Sequence, residues 1–254
     1  MKVRVLGCSG GIGVALNTTS ILIDDDILID AGSGLGTLSI EEMASIRHIF
    51  ITHSHLDHVA FIPLLVDTIF DRIEEPIIIH AQEATLKALR EHIFNWVMWP
   101  DFAELPHPDQ PVLAYETLLP GDIVNIGERS FQAIPVNHVV PAVGYRVEQN
   151  GRAFAFSGDT TTNDTLWEKL NNHDNLEFLI IESAFADQDI KLCQLARHYC
   201  PSLLAEDIEK LRHKPGLYIT HLKPGEEDII MSEVRSLLKD WDVEQLKGGE
   251  EFEI

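Results

Sequence analysis

Thr52-His53-Ser54-His55-Leu56-Asp57-His58 is the stretch that decides how the rest of this 254-residue chain is read. Four of the six residues from His53 to His58 carry metal-binding side chains, and they follow the hydrophobic run His48-Ile49-Phe50-Ile51. In extended backbone, residues 53 and 55 share a face. A helix opening near Asp57 then turns Asp57 and His58 toward a neighbouring point. One tract can therefore start two adjacent sites, whereas a closed zinc site needs only four ligands. A helix N-terminus beneath it also favours a bound hydroxide or phosphate. A solvated turn that gathers three histidines by chance is a poor account of this pattern, because clustered histidine is typically a metal ligand.

Working outward, further candidate ligands stand at comparable places. His138 follows the strand-like 133–136, Asp159 follows 153–156 within Ser157-Gly158-Asp159-Thr160, and His221 follows 217–220. Each lies just past the C-terminal end of a hydrophobic strand, as His53 does, and loops at such an edge are where α/β scaffolds collect their chemistry. Each is weak alone; with the first motif they form a pattern.

Strands are expected over 2–6, 19–23, 27–30, 46–52, 76–80, 132–136, 144–147, 153–156, 178–181 and 217–220, from their β-branched bias. Helices are expected over 57–70, with Pro63 in an early turn, and over 83–94, 164–170, 202–212 and 227–239. Strand runs followed by helices, twice over, predict stacked sheets with helices outside. With no repeat or long linker, residues 1–254 read as one α/β domain. Asp24-Asp25-Asp26 reads as a hairpin turn. The aromatic segment from Phe94 to Phe102 reads as core or as a subunit interface, which leaves a homodimer open.

Composition narrows the function. Forty-one acidic against 19 basic residues give a formal net charge of -22. Nucleic-acid affinity rests largely on basic residues that neutralise phosphates, so polymeric RNA or DNA is a poor partner for this chain. Apolar runs such as 61–66 are too short to span a bilayer. The N-terminal Met-Lys-Val-Arg-Val-Leu-Gly lacks the apolar region of a signal peptide, which predicts a cytoplasmic, membrane-independent protein. Cys8, Cys193 and Cys200 form no CxxC pair and read as idle thiols.

The His-x-His-x-Asp-His tract, His138, Gly158-Asp159-Thr160 and Ile219-Thr220-His221 resemble the metal motifs of the metallo-β-lactamase superfamily. Leu6-Gly7-Cys8-Ser9-Gly10-Gly11, Asn17-Thr18-Thr19-Ser20 and Leu28-Ile29-Asp30-Ala31-Gly32 resemble its phosphodiesterase branches, tRNase Z and the class II cyclic-nucleotide phosphodiesterases. The resemblance covers essentially the whole chain. It implies a four-layer αββα sandwich in which His53, His55 and His138 hold one metal, Asp57, His58 and His221 the other, with Asp159 bridging. Gly7-x-x-x-Gly11-x-Gly13 also matches the glycines of some dinucleotide sites, but those glycines must open a helix. The β-branched stretch that follows predicts a strand instead.

The resemblance implies hydrolysis of a phosphodiester by a hydroxide shared between two divalent ions. Zinc is the first expectation, with iron or manganese as alternatives for such a donor set. Asp57 is expected to orient that hydroxide as well as ligate. Glu182, at the end of a hydrophobic strand, looks similar to the Glu of the His-Glu-Ala-Thr motif of tRNase Z, and His198 stands where that family pairs a histidine with it. His198 is accordingly expected to be the general acid, oriented by Glu182. The acidic balance and the lack of glycine between Gly36 and Gly121, where tRNase Z carries a glycine-rich arm, favour a small 3′,5′-cyclic nucleotide over tRNA. Phe61 and Pro63-Leu64 depart from the usual cyclic-nucleotide phosphodiesterase pattern. Hydrolysis of another ester, a lactone or a thioester, or a tRNase Z-like nuclease activity, is the alternative. A non-hydrolytic di-iron protein is the alternative class, although flavo-di-iron sites carry Glu where this chain has His55.

Overall fold

The computed structural model describes residues 1–254. The chain folds as two compact units, each built on a mixed seven-stranded sheet. The first unit takes residues 1–7, 17–118 and 248–253; the second takes 8–16 and 119–247, with Ile254.

In the first unit the strands run in the order Glu251–Glu253, Lys2–Gly7, Ser20–Ile23, Ile27–Ile29, His48–Phe50, Ile77–Ala81, Leu113–Thr117. Pairing is antiparallel up to Ile27–Ile29 and parallel beyond it. The switch follows from the connections. Asp24-Asp25-Asp26 closes a tight hairpin, with Asp24 at φ 49°, a left-handed conformation that Asp adopts more readily than most residues. Later strands are joined by longer crossovers that carry helices, as parallel pairing requires. Leu22, Leu28, Ile49 and Ile79 pack on one face with Val59, Ile62, Leu65, Leu86 and Leu89 from those helices. Each such fully buried side chain contributes about 1.5–3 kcal/mol.

The second sheet runs Val243–Gln245, Gly216–Thr220, Leu176–Glu182, Arg152–Phe156, Ala142–Gln149, Arg129–Val136, Ile123–Ile126. Its first four strands are parallel and the rest antiparallel. Arg129–Val136 is antiparallel to Ala142–Gln149, which is antiparallel to Arg152–Phe156. It therefore points the same way as the parallel strands. The C-terminal ends before His138, Asp159, Glu182 and His221 thus share one edge of the sheet. Trp167, Leu170, Leu204, Ile208, Ile230 and Val234 from three helices cover a face of it.

The α/β expectation holds, with two mixed sheets, and most expected elements are present with shifted ends. The helix expected over 57–70 is broken into Leu56–Val59, Ile62–Thr68 and a 3₁₀ turn at Phe70–Arg72. The Phe61 N–H leaves the helical ladder to donate to the Ala31 carbonyl (3.0 Å), and the Ala31 N–H donates to the His58 carbonyl (2.7 Å). Pro63 brings no N–H to restore it. The helix expected over 202–212 is Pro201–Ile208, and the strand expected over 46–52 pairs only across His48–Phe50. Strands Leu113–Thr117, Ile123–Ile126, Val243–Gln245 and Glu251–Glu253 and helix Ile190–Ala196 were not expected.

The aromatic segment divides. Phe94 and Phe102 are buried in the first unit's core, whereas Trp96, Val97 and Met98 are exposed on a turn whose N–H groups at Val97 and Met98 donate to Asn95 Oδ1. No helix follows Gly7 directly, so the glycines do not open a dinucleotide-binding helix. None of the three cysteines is in a disulfide. No helix is long and apolar enough to cross a membrane.

Candidate metal centre

The first unit presents His53, His55, Asp57 and His58 just past the end of strand His48–Phe50. The strand's direction carries Thr52 and His53 into full burial. His55 is the N-cap of the short helix Leu56–Val59, which turns Asp57 and His58 back. The His53 ring lies edge-on to His55 at 4.6 Å between centroids and 4.3 Å from His58. Asp57 Oδ2 is 3.7 Å from His58 Nε2.

Behind these rings lies a buried network centred on Asp30. His58 Nδ1–H donates to Asp30 Oδ2 at 2.7 Å. Thr52 donates to the same carboxylate from its N–H (2.8 Å) and its hydroxyl (2.9 Å). Thr52 Oγ1 lies 3.0 Å from His53 Nδ1 and, with its own hydrogen committed to Asp30, accepts from that ring. Complete burial pushes the Asp30 carboxyl pKa up, against the pull of His58 and Thr52. Asp30 sits at φ 58°, held there as the chain leaves strand Ile27–Ile29 and Gly32 passes close to the Asp57 carbonyl.

The second unit presents His138, Asp159, Glu182, His198 and His221, each buried. Asp159 Oδ1 is 3.4 Å from His221 Nδ1. Asp159, Glu182 and His198 bring ligand-type atoms within 4.8 Å of one another. His198 Nδ1 is 2.7 Å from Glu182 Oε1. Glu182 also accepts the Thr160 N–H (2.8 Å) and the Tyr199 N–H (3.2 Å). Burial alone would lower the His198 pKa, but the Glu182 carboxylate and its hydrogen bond outweigh that and hold it raised. The His198 ring stacks on His221 at 5.3 Å and meets His138 edge-on at 5.0 Å.

His138 is gripped from behind by Arg197. Its Nδ1–H donates to the Arg197 carbonyl at 3.0 Å, and the Arg197 guanidinium donates to the His138 carbonyl at 2.8 Å. Arg197 achieves this in the left-handed region, φ 53°, at the C-cap of helix Ile190–Ala196.

The residues named from the sequence thus fall into two sets. His53, His55, Asp57 and His58 gather in the first unit, and His138, Asp159, Glu182, His198 and His221 in the second. Sequence reasoning did not assign roles to Asp30, Thr52 or Arg197. Asp30 could have been found, since an acid closing a hydrophobic strand ahead of Ala31-Gly32 is costly to bury without a partner; Arg197 carried no such signal. The donor chemistry suits a divalent metal. In His53, His58 and His138 the Nδ1–H is spent on Thr52, Asp30 and Arg197 respectively. That tautomer leaves the lone pair on Nε2, as ligation by neutral imidazole requires. His53 and His58 with Asp57 in the first unit, and His138 and His221 with Asp159 in the second, are His/Asp donors suited to a metal, of a type shared by zinc, iron and manganese.

The chain and its fold have counterparts among known proteins. A relative from Yersinia pestis named "Probable 3',5'-cyclic-nucleotide phosphodiesterase" is 26% identical over 88% of this chain and 78% of its own length. A "Ribonuclease Z" of Haloarcula marismortui is 30% identical over 61% of this chain and 50% of its own. The crystal structure of unliganded yeast PDE1 superposes with a TM-score of 0.84 at 17% identity, covering 98% of each chain; it shows the shared fold. Residues 25–225 match the family model described as "Beta-lactamase superfamily domain". With most of its length inside that match, the chain belongs to the metallo-β-lactamase superfamily.

Proposed function

We propose that this protein is a dinuclear metal-dependent phosphodiesterase that hydrolyses a small phosphodiester, first among them a 3′,5′-cyclic nucleotide, to the 5′-nucleotide. The observation that carries the reading is the donor inventory. His53, His55, Asp57 and His58 gather past one strand end of the first unit, and His138, Asp159 and His221 at one sheet edge of the second, a His/Asp inventory large enough for two ions. Divalent ions, if bound by these donors, would supply Lewis acidity and a water of lowered pKa.

The chain's own groups have separate tasks. Asp57, half-exposed where its neighbour His58 is buried, orients the attacking water by accepting its hydrogen. His198, anchored through Nδ1 to Glu182, keeps a proton on Nε2 that the leaving oxygen takes as the ester bond breaks. Two features support a small substrate. The net charge of -22 opposes binding of an RNA polyanion, and the phosphodiesterase relative matches over 88% of the chain against 61% for the ribonuclease Z.

Metal analysis of the purified protein, combined with turnover of cyclic AMP, cyclic GMP, bis(p-nitrophenyl) phosphate, a tRNA precursor and a lactone panel, tests the reading. Metal-dependent turnover of the phosphodiesters is expected. Turnover of the lactones alone refutes it, and an iron absorption that responds to oxygen without any hydrolysis moves the chain to the di-iron class.

A further inference from the structure

The wall of the second unit beside His221 and His198 carries a cation that the proposed chemistry leaves unused. Lys223 stands two residues past His221, where the chain turns away from strand Gly216–Thr220. Its Nζ donates to the Gly10 carbonyl at 3.0 Å and lies 5.5 Å from the centroid of the Phe185 ring. Phe185 meets His198 edge-on at 5.7 Å, and His198 stacks on His221 at 5.3 Å. The ammonium is therefore one aromatic ring away from the candidate general acid. Its field reaches that imidazole, where it opposes protonation.

The charge census makes this position informative. The chain carries 41 acidic side chains against 19 basic ones, yet Lys223 pairs with no carboxylate. An ammonium has three N–H donors; the Gly10 carbonyl takes one. The others, on a half-buried side chain, are available to an incoming acceptor. An anion approaching a protein of net charge -22 moves against the overall field, so a local cation beside His198 and His221 governs whether it is held.

We propose that Lys223 is the substrate-anion contact of this site, its ammonium donating a hydrogen bond to a non-bridging phosphate oxygen and so selecting anionic esters over neutral ones. The inference rests on the phosphodiesterase reading above. It makes Lys223 a determinant of specificity, with the contact to Gly10 fixing where the charge stands.

Lys223→Met and Lys223→Arg, compared with the parent for bis(p-nitrophenyl) phosphate, cyclic AMP and the neutral p-nitrophenyl acetate, test it. Lys223→Met is expected to raise KM for the two phosphodiesters about 10- to 100-fold, as loss of a charge-assisted hydrogen bond does, with kcat changed far less. Lys223→Arg is expected to recover most of that. Neutral-ester hydrolysis and metal content should stay at parental values, and the salt dependence of KM should flatten in Lys223→Met. An unchanged KM for phosphodiesters overturns the proposal. So does an equal loss on anionic and neutral esters, which would make Lys223 only an anchor for the Gly10 loop. Should the parent turn over no phosphodiester, the earlier reading fails by itself. Calorimetric binding of inorganic phosphate to parent and Lys223→Met then decides Lys223, equal affinities overturning it and weaker binding by the variant supporting it.

Discussion

Asp30 Oδ2 lies 2.7 Å from His58 Nδ1, and both side chains are wholly shielded from solvent. A carboxylate behind a ligating imidazole fixes its tautomer and raises its basicity. Asp30→Asn is the informative substitution, because Asn tolerates the φ of 58° at this position as Asp does. It removes the charge and leaves the backbone alone. Metal affinity, read by chelator competition, should fall about 10- to 100-fold. Asp30→Ala should in addition destabilise the metal-free protein by about 1–3 kcal/mol, since Thr52 and His58 lose a buried acceptor. Parental metal affinity in Asp30→Asn would refute the role.

Arg197 and His138 hold each other through both backbone carbonyls. Truncating the guanidinium removes one of those bonds and keeps the other, because the Arg197 carbonyl remains. Arg197→Met should therefore weaken metal binding about 3- to 10-fold, the loss of one charge-assisted bond to a partly exposed group. Arg197→Gly should match it and gain nothing in metal affinity from relief of φ 53°. Equal metal affinity across the three proteins would show that the grip is incidental.

How much of this was visible beforehand differs by scale. The tract from His53 to His58 and the three later ligand candidates could be read, because each follows a β-rich run whose periodicity survives in the sequence. Their gathering at one edge of each sheet follows from strand direction, and the parallel runs imply it. The broken helix after Asp57 could not be read: Phe61 departs from helical bonding only because the Ala31 carbonyl is nearby, a contact between segments thirty residues apart. Strands Leu113–Thr117 and Glu251–Glu253 lie at the ends of their sheet and carry exposed Glu and Thr residues, so the alternation that marks a strand is diluted. Arg197 acts through its main chain, which residue type does not announce.

His198 and Glu182 form a buried pair 2.7 Å apart, which sets up a test by leaving group. An alkoxide leaves poorly without a proton, whereas p-nitrophenolate needs little help. His198→Ala should cut kcat for a cyclic nucleotide about 10²- to 10⁴-fold, the usual span for loss of a general acid, and cut bis(p-nitrophenyl) phosphate turnover far less. Metal content measured alongside should be unchanged. Equal losses on both substrates would assign His198 to structure or ligation.

His80 offers a prediction in the metal-free protein, away from the candidate ligands. It is buried against Phe50, its ring stacked at 4.3 Å, with Nε2 3.0 Å from His48 Nδ1. Burial, with a further push from His48, lowers its pKa from 6.5 to about 4. Glu116 Oε2 lies 3.3 Å from Nδ1, but on an exposed side chain that water screens too well to reverse this. Between those pKa values the unfolded chain binds the extra proton, so stability rises with pH. His80 thus stabilises the fold fully above about pH 6.5 and loses that contribution as pH falls toward 4. The stability difference between parent and His80→Gln in urea should shrink by about 2–3 kcal/mol between neutral pH and pH 4.5. A difference independent of pH would contradict the lowered pKa.

Gly10 connects the glycine-rich N-terminal motif to the candidate metal centre. The segment around it is laced to the last candidate ligand: the His221 N–H donates to the Cys8 carbonyl at 2.8 Å and the Gly10 N–H to the Leu222 carbonyl at 3.0 Å. A Cβ on Gly10 would stand 2.4 Å from the His221 carbonyl oxygen and 3.2 Å from its ring Cδ2. The nearest atom is backbone, so it cannot turn aside as the tip of a side chain could. His221 also holds φ 62°, a conformation that persists only where neighbours impose it. Glycine is therefore required here for close approach, since the preceding bonds bring two main chains together at His221. Gly10→Ala should push His221 away, destabilise the fold by about 1–3 kcal/mol and weaken metal binding along with it. Gly121→Ala is the matched control, because it carries a positive φ of 99° with open space around its Cβ position. It should cost stability through backbone strain alone and leave metal affinity intact. Equal metal affinities in the two variants would mean that the glycine motif does not set the position of His221.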